Sequence, residues 1–251
     1  MIRAIAAFAD NYIWIIEQQG HFPELAVVVD PGQAGPVLDA LAARHLKLAA
    51  ILITHHHADH TGGIADLIAH APWPDGEMPQ VFGPANEPIE GLTCKLHEGD
   101  VVEIPGLDLR LSVIEVPGHT RGHIAYFGFC GSAQPVLFCG DTLFAAGCGR
   151  LFEGSPEQMW LSLQKLAGLP PETAVYCAHE YTLSNLKFAH HVFPDNSLIQ
   201  QRLEKVANAR ARDQISLPSL ISEELLTNPF LLSRDAAEFA DYRRRKDSFR
   251  G

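Results

Sequence analysis

Two periodicities divide this 251-residue chain. In the first two thirds, apolar and β-branched residues come in short runs: Ile2 to Phe8, Tyr12 to Glu17 and Leu25 to Asp30. Asp10-Asn11, Gly20 and Asp30-Pro31-Gly32 punctuate them, which predicts strands separated by turns. From Gly35 to His45 the apolar positions shift to Val37, Leu38, Leu41 and Ala42, the spacing of one helix face. Leu48 to Ile53 is a continuous apolar run, predicting a buried strand, and Gly63 to His70 reads as a second helix. Pro72 to Pro79 is rich in proline and glycine and predicts a loop. Several strands follow between Val81 and Phe138, turning at Gly99-Asp100, Pro105-Gly106 and Gly131-Ser132. A helix over Pro156 to Leu169 and a short strand over Ala174 to Cys177 close this part. The final third keeps the helical period over Leu183 to Phe193, Ser197 to Arg212 and Asp235 to Asp247, with proline and serine breaks from Ser216 to Leu232. The change predicts an α/β body with an appended helical region.

Composition narrows the setting. With 47% hydrophobic and 20% charged residues, the chain reads as a soluble globular protein of one or two domains. No apolar run approaches the ~20 residues of a membrane span, so no membrane partner is expected. The apolar stretch Ala4 to Ala9 is too short for a signal peptide. Cys94, Cys130, Cys139, Cys148 and Cys177 are odd in number and form no CxxC pair, which predicts reduced thiols in a cytoplasmic protein. A formal net charge of −11 argues against nucleic acid as a partner, because phosphate binding rests on basic surfaces.

The densest chemistry follows the Leu48 to Ile53 run: Thr54-His55-His56-His57-Ala58-Asp59-His60-Thr61-Gly62-Gly63. His55, His57, Asp59 and His60 are all ligands of the kind that zinc, iron and manganese take. Residues two apart in an extended chain share a face, so His55 and His57 point one way and His56 the other. Adjacent Asp59 and His60 share a direction only if the chain is turning, and Gly62-Gly63 offer conformational freedom for that turn. Ligands in two directions suit two adjacent ions better than one. His56 is left as a non-ligand, and His70 and His97 as surface residues. Three further apolar runs each deliver a potential ligand at their C-terminal end: Leu111 to Gly118 delivers His119, Pro135 to Gly140 delivers Asp141, and Ala174 to Ala178 delivers His179. Strand ends of an α/β sheet converge on one edge, so these residues can meet.

The His-x-His-x-Asp-His cluster with His119, Asp141 and His179 is similar to the metallo-β-lactamase superfamily. That resemblance implies a four-layered αββα sandwich. Phe8-Ala-Asp-Asn-Tyr12, Pro117-Gly-His-Thr-Arg-Gly-His123, Gly140-Asp-Thr-Leu-Phe144, Gly147-Cys-Gly-Arg150, His179-Glu-Tyr181 with Asn185-Leu-Lys-Phe188, and Arg243-Arg-Arg-Lys-Asp247 further resemble the glyoxalase II family. The likeness covers nearly the whole chain and implies a catalytic domain over 1–179 with a helical, substrate-binding domain over 180–251. It assigns His55, His57 and His119 to one divalent metal, Asp59, His60 and His179 to a second, and Asp141 to a bridge between them. Zinc is the leading metal, with iron or manganese acceptable to the N/O donor set. The implied activity is hydrolysis of S-(2-hydroxyacyl)glutathione thioesters by a metal-bridging hydroxide, with Asp59 a candidate for orienting it.

On the substrate side the resemblance assigns Arg150, Phe152, His179, Tyr181, Arg243 and Lys246. Arginine and lysine suit the two carboxylates of glutathione. Read without the resemblance, Arg243 to Lys246 is first a solvated helix end, favoured by the helix dipole. Arg150 stands where relatives often carry lysine, and Phe152 where some carry tyrosine; Arg244 and Arg245 are left unassigned. Trp14, Trp73 and Trp160 are expected to pack, His190-His191 to form a helix face, and Tyr12 and His123 to shape the pocket. Competing readings are a glutathione persulfide dioxygenase with a single iron, which shares much of the ligand set, and a non-catalytic metal-binding module. Structural zinc sites favour closed, thiolate-rich coordination, which this N/O set lacks. A monomer is expected.

Overall fold

The computed structural model describes residues 1–17, 24–72, 74 and 79–251. The turn expected at Gly20, most of the loop over 72–79 and Trp73 therefore lie outside the described residues. Strands β1 (Ile2–Ala7), β2 (Asn11–Glu17), β3 (Leu25–Val29), β4 (Lys47–Leu52), β5 (Gln80–Pro84) and β6 (Cys94–Leu96) form one sheet in chain order. Helices α1 (Ala34–Arg44), α2 (Ala58–Thr61) and α3 (Ile64–His70) fall between β3 and β5. The second sheet holds β7 (Val101–Glu103), β8 (Leu109–Glu115), β9 (Ile124–Cys130), β10 (Val136–Gly140), β13 (Ala174–Cys177) and β14 (Ser219–Leu220). A small hairpin, β11 (Leu143–Phe144) and β12 (Gly147–Cys148), projects after β10. The remaining helices are α4 (Pro156–Ala167), α5 (Thr182–Val192), α6 (Ser197–Arg210), α7 (Ile221–Thr227) and α8 (Ala236–Ser248).

Strand β2 is buried along its whole length because its two faces enter different cores. Tyr12, Trp14 and Ile16 pack between the sheets with Val27, Val29 and Leu52, whereas Ile13 and Ile15 pack outward with Val28, Ile51 and the α1 residues Val37 and Leu41. Period-2 alternation thus separates two apolar layers, which is why these strands read as continuous hydrophobic runs. The outcome is the expected helix–sheet–sheet–helix sandwich followed by helices. The last third is not wholly helical, however. Ser219–Leu220 pairs antiparallel with Ala174–Val175 and extends the second sheet, and the stretch expected only to be broken carries α7. A two-residue strand and a seven-residue helix are too short to establish a period.

Strand direction positions the site. In the second sheet β8 and β10 each run antiparallel to β9, and β13 runs parallel to β10. The C-terminal ends of β8, β10 and β13 therefore lie on one edge, and they precede His119, Asp141 and His179. Tyr12 N donates to Ala178 O at 2.7 Å, and Asn11 bridges His179, which joins the start of β2 to the same edge.

Candidate metal centre and adjoining cavity

After β4 the chain stays extended through His57, whose φ and ψ are −59° and 144°, and helix α2 begins at Ala58. His55 and His57 thereby share a face, and the helical turn swings Asp59 and His60 round to a second one. The turn does not use the freedom of the paired glycines: Gly62 and Gly63 both adopt right-handed helical conformations. Their role is closeness. A Cβ at Gly62 would lie 2.8 Å from Gly32 O, and one at Gly63 2.4 Å from Pro31 O, so side chains there would push the ligand loop off the β3–α1 connection. Gly140, before Asp141, does need its conformation, with φ of 47° and Thr54 Oγ1 2.3 Å from where a Cβ would stand.

Three overlapping groups of donor atoms result: His55, His57 and His119; His55, His60 and Asp141; and Asp59, His60 and His179. His57 Nδ1 lies 3.1 Å from His55 Nε2 and 3.0 Å from His119 Nε2. Asp141 stands between the outer groups, with Oδ2 3.4 Å from His119 Nε2, and Oδ1 3.5 Å from His60 Nε2 and 3.4 Å from His179 Nε2. Asp59 Oδ2 is 3.4 Å from both His60 Nε2 and His179 Nε2. All seven expected ligand side chains meet here. His56 turns away, and His70 and His97 are exposed on the surface.

The outward nitrogens show what the inner ones are free to do. His119 Nδ1 donates to Arg150 O at 2.8 Å and His179 Nδ1 to Asp10 Oδ1 at 2.9 Å, so in the neutral rings Nε2 carries a lone pair into the site. Burial, reinforced by four neighbouring imidazoles, holds His55 well below the ordinary histidine range. Burial also lowers His57 and His119. The opposite holds at the other end. Burial opposes charge on His179, but hydrogen bonds to Asp141 and Asp59 outweigh it and push its pKa up to about 10. At His60 the charges of Asp141 and Asp30 likewise overcome burial. The hydrogen bonds of His179 and His60 hold Asp59 far below the usual carboxylate range. Burial of Asp141 works against ionisation, but His60 and His179 prevail and lower it. Buried His60 Nε2 and Asp141 Oδ1 nevertheless have only these long contacts of 3.4 to 3.5 Å and no well-formed hydrogen bond. Lone pairs of five imidazoles and two carboxylates facing one another, with buried orphans among them, fit divalent cations held between them.

Several supporting residues escape sequence reasoning. Asp30, in the left-handed region at φ 52°, accepts from Thr54 N at 2.8 Å and Thr54 Oγ1 at 2.7 Å, and reaches His60 Nδ1 at 3.1 Å. Asn11 Nδ2 donates to Asp59 Oδ2 at 2.9 Å. Asp30 ends an apolar strand as Asp141 does, so the same strand-end rule would have found it. His123 is a fully buried core residue: its ring stacks on His55, and its Nε2 accepts from Asp141 N at 3.2 Å. Tyr12 donates to Glu180 Oε2 at 3.1 Å, and Trp14 Nε1 to Cys177 O at 2.9 Å.

Beside the metal cluster lies a cavity of about 490 Å³, with His119 and Asp141 at one end. Arg150, Phe152, Tyr181, Arg243 and Lys246 line it, together with Phe249 and Arg250, which sequence reasoning does not single out. Phe152 is 63% exposed and sets its ring edge against His57 and His119. Tyr181 lies parallel to the His179 ring with centroids 4.7 Å apart, and His179 itself stands behind it. Arg243 is buried, its Nη1 donating to Cys148 O and its Nη2 to Asp247 Oδ1, both at 2.8 Å. Lys246 Nζ donates to Ser184 O at 3.0 Å and Ser184 Oγ at 3.1 Å. Burial, then the charge of Arg243, lowers its pKa to about 8. Arg244 and Arg245 pair with Asp241 on the solvent side.

Comparison with known proteins places this site in a family. Residues 11–179 match the family model described as metallo-beta-lactamase superfamily, and residues 180–249 match the one described as hydroxyacylglutathione hydrolase C-terminus. The chain is 54% identical over 237 residues to a hydroxyacylglutathione hydrolase of Cupriavidus taiwanensis, covering 94% of this chain and 88% of that protein. It is 49% identical to one from Aliivibrio salmonicida, with 99% of each chain covered. Among solved structures, ETHE1 from Myxococcus xanthus superposes with a TM-score of 0.70 at 24% identity, covering 100% of this chain and 92% of that one; this supports the fold. TTHA1623, solved in a di-iron-bound form, matches at 25% identity and a TM-score of 0.52 over 71% of this chain and 91% of that one. The chain belongs to the metallo-β-lactamase superfamily and, within it, to the hydroxyacylglutathione hydrolases.

Proposed function

We propose that this protein hydrolyses S-(2-hydroxyacyl)glutathione thioesters, taking S-D-lactoylglutathione to D-lactate and glutathione, the second step of methylglyoxal detoxification. The observation that carries the reading is the junction of two features: a cluster of seven metal-type donors opening directly onto a cavity walled by Arg150, Arg243 and Lys246. The names of the relatives agree with it.

In this reading His55, His57 and His119 hold one divalent metal, Asp59, His60 and His179 hold a second, and Asp141 lies between them with one oxygen toward each group. Zinc heads the candidates and iron or manganese also suits the donors; the di-iron form of TTHA1623 supports a pair of ions. Such metals supply a hydroxide nucleophile near neutral pH and polarise a carbonyl.

The chain's own residues do the rest. The Arg150 carbonyl and Asp10 carboxylate engage Nδ1 of His119 and His179, so that in the neutral rings it is Nε2, aimed inward, that offers its lone pair to a metal. Asn11 holds Asp59 by its Oδ2, the oxygen that also faces His60 and His179, and Asp59 is the candidate for orienting the attacking oxygen. Lys246 and Arg150 bind glutathione carboxylates, with Arg243 adding positive potential from behind. Tyr181 and Phe152 give the substrate an aromatic wall, the first anchored on His179 and the second against His57 and His119. The leaving thiolate, whose parent thiol has a pKa of about 8.5, departs without a dedicated acid. We place the boundary between catalytic and substrate-binding domains at 179/180, where the two family matches meet.

Incubating metal-replete protein with S-D-lactoylglutathione and following thioester loss tests the proposal, with metal content measured in parallel. Catalytic loss of the thioester supports it. Metal-replete protein that leaves the thioester intact refutes it.

A further inference from the structure

We infer that Glu87, acting through His56, is a positioning residue for the first metal site, fastening together the two loops that carry its ligands; the inference rests on the metal reading above. The need for a fastening follows from the fold. His55 and His57 come from the loop after β4 in one sheet, and His119 from the loop after β8 in the other. The sheets meet through apolar side chains, which fix spacing without fixing the angle of an imidazole. One backbone bond, Ile124 N to Thr54 O at 3.0 Å, joins the loops next to the strands.

Glu87 supplies a second link at the ligands themselves. It follows β5 and is buried at 8% exposure, yet it carries a carboxylate whose partners come from both loops. His56 Nδ1 lies 3.0 Å from Oε2, while Gly122 N donates to Oε1 at 3.1 Å and the Thr120 hydroxyl donates to the same oxygen. His56 is bonded in sequence to both His55 and His57, and Thr120 to His119. A Cβ at Gly122 would stand 2.5 Å from Glu87 Cγ, so the second loop has no side chain where the carboxylate crosses it.

The far side of the His56 ring extends the link. Nε2 is 3.4 Å from Glu153 Oε1, and Glu153 Oε2 accepts from Arg121 N at 3.0 Å. Glu153 belongs to the segment that presents Arg150 and Phe152 to the cavity. The middle histidine of the cluster, which alternation turns away from the metals, thus transmits the position of Glu87 to the ligand on either side of it. Groups hydrogen-bonded directly to metal ligands typically change affinity by about 10–100-fold when removed, and Glu87, which holds the residues next to the ligands, is expected to act on that scale.

The test is zinc binding measured by competition with a chromophoric chelator for the full-length wild type, Glu87→Ala, His56→Ala, the double variant combining these two, and Glu87→Gln. Weakening of one of two zinc ions by about 10–100-fold in Glu87→Ala is expected, with the other ion unchanged. His56→Ala should give a similar selective loss, and the double variant should be little worse than either single one. Glu87→Gln, which keeps an acceptor for Gly122, should recover most of the affinity. General destabilisation would not confine the loss to one ion, and His56→Ala, at a partly exposed side chain, keeps the test available if Glu87→Ala does not fold. Wild-type affinity for both ions in His56→Ala, or in a folded Glu87→Ala, overturns the inference. Wild-type protein that binds no zinc overturns the metal reading itself and this inference with it.

Discussion

At the metal cluster, five imidazoles and two carboxylates face one another and leave buried atoms without a well-formed internal hydrogen bond. On α8 the cations are largely answered within the chain: Arg243 by Cys148 O and Asp247, Lys246 by Ser184, and Arg244 and Arg245 by Asp241. Both regions concentrate charge, but they depend on a ligand differently. The cluster gathers metal-type donors with buried atoms among them that lack a well-formed hydrogen bond, which suits it to binding metal. The helix answers its cations mostly within the chain, with Arg243 Nε left as a buried donor without a partner, so its residues divide between holding the fold and meeting a carboxylate. Burial separates the two duties. The Arg243 side chain is 7% exposed, whereas those of Arg244 and Arg245 are 77% and 41% exposed.

The largest expected effect lies on the cluster side. Asp141→Ala should lower kcat/KM on the thioester by roughly 1,000-fold or more, since it touches both metal groups at once. A loss below about 10-fold in steady-state kinetics would erase the contrast with α8. Next comes Arg243→Ala, which removes the partner of Cys148 O and Asp247. It should cost about 3 kcal/mol of stability by urea unfolding, against little for Lys246→Ala. Equal stability of the two variants would put Arg243 with the substrate cations instead.

Lys246→Ala should raise KM by roughly 10-fold or more while leaving kcat nearly unchanged, the signature of lost uniform binding. The same residue sets a pH dependence. Its cation is the binding form, and its pKa is lowered to about 8, so kcat/KM should fall as pH rises through that value. Lys246→Arg should hold kcat/KM level to higher pH because a guanidinium stays charged. A falling limb identical in both proteins would assign it elsewhere. The smallest effect should be that of Arg244→Ala, below about twofold in KM, because its exposed pair with Asp241 is screened by water.

The legible parts of the molecule are those with a period or a density. Strands β2, β3, β4, β8, β10 and β13 carry apolar runs, and the C-terminal ends of the last three point to His119, Asp141 and His179 from the amino-acid order alone. The division within the basic tail is also present in the spacing. Phe239, Tyr242, Arg243 and Lys246 repeat at the helical interval and face inward, which leaves Arg244 and Arg245 outside. What stays hidden lacks such a signal. Asp10 and Asn11 resemble turn residues, and their bonds to His179 and Asp59 exist only once distant loops meet. Glu87 sits in a loop with no period at all. Gly62 and Gly63 stand out in the sequence as a source of conformational freedom, whereas their backbones are ordinary and the constraint is contact with Pro31 and Gly32.

The central claim, that Asp141 joins two metal sites into one centre, is tested most directly by elemental analysis of wild-type and Asp141→Ala protein loaded with zinc and freed of loosely held metal. The account predicts two ions per wild-type chain and depletion of both sites in the variant, with its helical content retained by circular dichroism. Two ions per chain in folded Asp141→Ala would contradict it.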